Sequence, residues 1–204
     1  MSIHHEEPCY VPLFAGAETV CRSAALWREM TAYYERGKLT GPLARLHTLS
    51  TAARKTEQQL AEQLIHAFLP PMDREDLALI MRRLTAIPTA IETAARTLAA
   101  VSPASLRPEL SDWASLLEES GAECRRLMTE LPQALKEKAS GQADRMLSLY
   151  HKHDLLMERA LRRLHTGPDG QTAVWQLLFL RMEDCCRSCL RLAETTEWVI
   201  LKSN

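Results

Sequence analysis

Along most of this chain, apolar residues recur at the three- and four-residue spacing of one helical face. One stripe runs through Met146, Leu149, His153, Leu156, Ala160 and Leu164, and another through Val174, Leu178, Met182, Cys185, Cys189 and Leu192. That period puts the apolar groups on one side of a helix and leaves the opposite side to water. Proline and glycine stand mostly between such stretches, where they break the helical ladder. The pattern predicts six helices, over about 15–36, 43–68, 73–100, 108–131, 140–165 and 172–202. Gly37 and the Gly41-Pro42 pair close the first, and Pro70-Pro71 stops the second. Pro88 should kink the third, Pro132 should end or bend the fourth, and an HTGPDG turn separates the fifth from the sixth.

Asp73 is placed to cap the third helix, with Glu75 and Asp76 following at the positive end of its dipole. Short connections make successive helices antiparallel neighbours. The expected fold is all-α, one domain over 1–204 built from two three-helix halves at about 14–101 and 106–202.

Composition agrees with a helical reading: 46% of residues are hydrophobic, only 5% are aromatic, and 25% are charged. Lys and Arg number 25 against 26 Asp and Glu, a net charge of −1. No overall field draws nucleic acid or an anionic membrane, and the doublets Arg82-Arg83 and Arg162-Arg163 read as solvated faces. The acidic N-terminus lacks a secretory layout, and the best apolar run, 173–180, is too short to span a bilayer. A cytoplasmic location is expected, with the six cysteines as thiols.

Chemistry-bearing motifs are sparse. No Glu-x-x-His pair, Gly-rich phosphate loop, zinc-binding His-Glu-x-x-His or nucleophile elbow occurs, and no catalytic constellation can be assembled. Cys186 and Cys189 are spaced as a metal pair but have no second pair nearby, and Cys185 and Cys189 lie on the apolar stripe, so small core residues are the expected role. His151 and Asp154 share a face at a spacing two ligands can use. Asp154 also interrupts a row of Leu147, Tyr150, Met157 and Leu161; a partly buried acid there needs a metal or an arginine from the last helix.

The segment from Phe68 to Leu77, FLPPMDREDL, resembles the signature F-x-T-P-x-D-R-E-D-I of a PhoU-related family of phosphate transport regulators. Asp73, Arg74, Glu75 and Asp76 fall on its acidic core, and Pro70 departs from it. Weaker likeness extends over about 14–202: Asp154 to Leu164 in the fifth helix, and Glu183 through Ala193, Glu197 and Lys202 in the sixth. The resemblance implies a six-helix PhoU-like bundle of two three-helix repeats. It also implies a non-enzymatic cytoplasmic partner of a low-affinity inorganic phosphate transporter, peripheral to the inner membrane through that transporter.

PhoU relatives carry acidic pairs four residues apart on their inner helices, which hold multinuclear iron or zinc. Those positions fall here on Ser50 and Arg54, Thr85 and Thr89 with Ala86 beyond, Tyr150 and Asp154, and Glu183 and Arg187. Only Asp154 and Glu183 stay acidic, and Arg54 and Arg187 bring positive charge. The expectation is a protein without cofactor, in which Arg187 pairs with both Asp154 and Glu183. Two alternatives stay open: a reduced iron or zinc site on Asp154, Glu183, His151 and a cysteine, and a helical scaffold unrelated to phosphate. An apolar face at Leu26, Met30 and Tyr33 suggests a homodimer.

Overall fold

The computed structural model describes residues 9–66, 72–166 and 172–203, and among them it holds six α-helices and no strand. They are α1 (Val11–Ala32), α2 (Thr40–His66), α3 (Arg74–Val101), α4 (Pro108–Glu137), α5 (Asp144–Thr166) and α6 (Thr172–Lys202). The turn at 167–171 and residues 68–71 of the signature lie outside the described residues.

Helix ends differ from the sequence reading for identifiable reasons. α1 begins before Ala15 because Pro12 sits in its first turn, where no intrahelical bond needs its missing N–H. α4 runs through Pro132 to Glu137 instead of ending there: Leu131 and Ala134 are buried on either side, so packing outweighs the lost bond. It stops at Lys138 in left-handed backbone, φ 54°. α5 starts only at Asp144, after Gly141 turns at φ 80° and the N–H groups of Gly141, Gln142 and Ala143 reach the Glu197 carboxylate at 2.8, 2.6 and 3.3 Å.

Four helices make the centre. α1 packs on α4 and α3 on α6, while α2 lies against α1 and α3, and α5 against α4 and α6; among the described residues α2 and α5 do not touch. Across the α1–α4 seam, Glu18 faces Arg125 and Arg28 faces Glu118, so the two helices run antiparallel. α3 and α6 are likewise antiparallel, with Arg83 donating to Thr195 and Lys202 bridging Asp73 and Asp76. One continuous buried cluster fills the interior from Tyr10 to Ile200, with Trp27, Trp113 and Phe179 among its largest fully buried side chains.

The two halves are built alike. Ala25, Leu26 and Glu29 of α1 form a cleft with Arg45, Thr48 and Leu49 of α2. At the same spacing, Ala122, Glu123 and Arg126 of α4 form a cleft with Arg145, Ser148 and Leu149 of α5.

The face suggested for a dimer is not free. Leu26 and Met30 are buried, and only Tyr33 is exposed. Asp73 holds the N-cap position of α3 but makes no side-chain cap; its carboxylate accepts from Lys202 at 2.7 Å instead. Placed beside the end of α6, it is drawn to a full positive charge in preference to a backbone amide.

Candidate functional site

The polar centre of the second half is built on His153. It lies on the inner stripe of α5 and is fully buried, yet it carries two nitrogens that need partners. Trp113 of α4 donates its indole N–H to Nδ1 at 2.8 Å, and Nε2 meets Glu183 Oε2 on α6. The other oxygen of Glu183 accepts the Tyr150 hydroxyl at 2.6 Å and Arg187 Nε at 2.9 Å, with Arg187 Nη2 also on it. Trp113 packs against Phe179, ring centroids 5.0 Å apart, which fixes the indole that orients the imidazole.

Electrostatics follow from this closure. Burial pushes the Glu183 carboxyl up, but the donors Tyr150, Arg187 and His153 together outweigh it and hold it below its ordinary value. Burial and the Glu183 carboxylate push the Tyr150 hydroxyl up to about 12, so it stays a donor.

Arg187 pairs with Glu183 along α6 as expected, but its partner across the helices is not Asp154. Asp154 is exposed and makes no ion pair among the described residues, whereas Glu183 stands one turn away and largely out of water. The partly buried acid placed at Asp154 is therefore Glu183, and the buried polar group of α5 is the neighbouring His153. His151 is exposed.

In the first half, the positions matching this site hold no carboxylate. Thr85 Oγ1 lies 3.5 Å from the Ala53 carbonyl, and Arg54 is exposed, reaching Ser50 Oγ at 3.4 Å. A different carboxylate does the same mechanical work nearby. Glu92 of α3 is buried and accepts from Ser50, from His47 Nδ1 at 3.0 Å and from Arg96 Nε at 2.9 Å. Burial pushes its carboxyl up, yet the Ser50, Arg96 and His47 donors bring it down to about 2. Each half thus pins its outer helix with a Glu on its third helix, an Arg four residues on, and two donors three residues apart on its second.

Glu92, Trp113 and His153 escaped the sequence reading as site residues, and Ser50 entered it only as a family ligand position that had lost its acid. Their signal was the repeated Glu-x-x-x-Arg spacing at 92 and 183, set against His47-x-x-Ser50 and Tyr150-x-x-His153. The cysteines follow their expected role: Cys124, Cys185, Cys186 and Cys189 are buried and free. Burial pushes the Cys185 and Cys186 thiols well up, so neither is a ready thiolate.

No family profile matches the chain, and no curated protein matches it. Among solved structures, the chain is similar to a PhoU-like protein from Shewanella oneidensis MR-1, whose crystal structure was determined at 2.00 Å resolution. The TM-score is 0.76 at 13% identity, covering 95% of this chain and 99% of that one. The fold is PhoU-like. At that identity the likeness carries architecture alone.

The multinuclear iron or zinc cluster implied by the resemblance does not fit these residues. His153, Asp154 and Glu183 can bring one ligand atom each within 4.8 Å of one another, enough for a single ion, but the positions for further carboxylates are Tyr150, Ser50, Thr85 and Thr89. Two more, Arg54 and Arg187, are cationic.

Proposed function

We propose that this chain is a PhoU-like regulatory adaptor of inorganic phosphate transport, acting by binding a low-affinity phosphate transporter and not by catalysis. The supporting observation is the fold, which follows a PhoU-like protein over nearly the whole of both chains. The described part of the signature adds to it: Asp73 and Asp76 meet Lys202, so the segment that carries the resemblance is tied to the end of α6. His153 and Glu183, the groups best suited to proton transfer, are spent on one another and on Trp113, Tyr150 and Arg187. That favours a binding role.

None of the helices among the described residues is long and apolar enough to cross a membrane, so contact with a transporter would be made from the membrane surface. The test is co-purification of the phosphate transporters of the source cell with a tagged copy of the chain, paired with phosphate uptake in cells lacking it. Recovery of a phosphate transporter and altered uptake are expected. Unchanged uptake with no transporter recovered leaves a helical scaffold unrelated to phosphate.

A further inference from the structure

We propose that the His153, Asp154 and Glu183 group is a cation site held shut by two neighbours, Trp113 and Arg187. Their three candidate ligand atoms lie within 4.8 Å of one another, a spacing one transition-metal ion can span. Two features of the surroundings oppose such an ion.

The first is the proton on His153. An indole N–H can only donate, so the imidazole nitrogen facing Trp113, Nδ1, must accept, and the ring proton is placed on Nε2. Nε2 is the nitrogen turned to Glu183, and therefore the one a metal at this group would need bare. A metal-bound histidine normally donates its other N–H to a carboxylate or carbonyl. Here that other nitrogen meets a donor, inside a region where both His153 and Trp113 are fully buried. Metal binding would set two N–H groups against each other.

The second is charge. Arg187 places a guanidinium on Glu183 through Nε and Nη2, so the carboxylate already carries a cation. A divalent ion would have to displace that arginine or share the carboxylate with it, leaving exposed Asp154 to balance the rest. In the first half, Ser50, Ala53, Arg54 and Thr85 at the matching positions offer neither imidazole nor carboxylate, so the inference concerns the α5–α6 site only. It follows that the α5–α6 joint keeps one conformation whether transition metals are abundant or scarce. The lock does not depend on the adaptor reading; cation binding tests the one, and transporter recovery the other.

The test is zinc uptake by equilibrium dialysis of chelator-stripped protein, with cobalt absorption spectra to report ligand geometry. Wild type, Arg187→Ala, Trp113→Phe and the double variant are compared, with Glu183→Gln added both to wild type and to the double variant as site control. Circular dichroism melting shows which variants fold. The expected result is no stoichiometric zinc in wild type at a free concentration that loads the double variant. The double variant should gain at least about tenfold in affinity, the size of effect that groups around a metal ligand exert, and lose it with Glu183→Gln. Nitrogen-15 shifts of His153 in wild type should show the proton on Nε2. Stoichiometric wild-type zinc abolished by Glu183→Gln, a folded double variant no better than wild type, or a proton on Nδ1 would each overturn the proposal. If the double variant fails to fold, wild-type zinc uptake and the wild-type His153 proton still decide it.

Discussion

Glu92 shows what a single buried carboxylate contributes. Its ordinary pKa of 4.5 falls to about 2 because Ser50, Arg96 and His47 donate to the ionised form and outweigh burial. A group depressed in the folded state stabilises the fold fully above its unfolded value, and that contribution disappears as pH falls through the folded one. The wild-type advantage over Glu92→Gln should therefore be constant near neutrality and shrink between about pH 4.5 and pH 2. Its full size is on the order of 2–3 kcal/mol, read from urea unfolding at a series of pH values. An advantage that stays flat across that window would mean the donors do not favour the carboxylate. Tyr150 gives a companion test in the other half. With its hydroxyl held protonated up to about 12, it donates to Glu183 across the whole usable range, and Tyr150→Phe should cost about 1–2 kcal/mol with no pH dependence from pH 6 to 9.

At the scale of the helices, the ends carry the information that periodicity lacks. The stripes of α5 and α6 were legible because burying one face imposes a spacing on the residues themselves. The start of α5 was not, because it is set by Glu197, more than fifty residues away, accepting from three successive backbone N–H groups. The same blindness hid the site. His153 fits its stripe perfectly well as a core position, and only Trp113, on another helix, reveals it as a polar hub. Asp154 was singled out because it broke a row, but that row of Leu147, Tyr150, Met157 and Leu161 is itself only partly buried, so an acid there keeps its water. Two tests belong here. Glu197→Ala should leave the fold intact while amide exchange at 141–143 accelerates; unchanged exchange would mean the carboxylate does not hold the turn. Lys138 ends α4 at φ 54°, a conformation that costs an L-residue on the order of 1 kcal/mol and glycine almost nothing. Lys138→Gly should raise stability by about 0.5–1 kcal/mol, read as an increase in the urea midpoint.

At the scale of the molecule, the question is whether the two similar halves are independent. Each contains three helices and its own carboxylate clamp, but the most extensive helix–helix contacts are shared: α1 with α4, and α3 with α6. Met81 and Leu84 press on Gly16 within the first half, whereas Gly121 of the second half meets Val20, Cys21 and Ala24 of the first. A Cβ on Gly121 would stand 3.4 Å from that of Ala24 and 3.6 Å from the Cys21 backbone, so the seam has room for a methyl group and nothing larger. Gly121→Ala should be neutral to mildly stabilising, since the better helix propensity of alanine, roughly 1 kcal/mol, offsets the tight contact. Gly121→Leu forces α1 and α4 apart, and the overpacking should cost at least about 2–3 kcal/mol. If the halves were independent, this loss would appear as a separate early transition, with one half unfolding first. The continuous core from Tyr10 to Ile200 leads to the opposite expectation: one cooperative transition, shifted as a whole, with fluorescence from Trp27 in α1 and Trp175 in α6 falling together. Two resolved transitions would show that each half holds together without the other, and would place the seam among contacts between units instead of at the centre of the core.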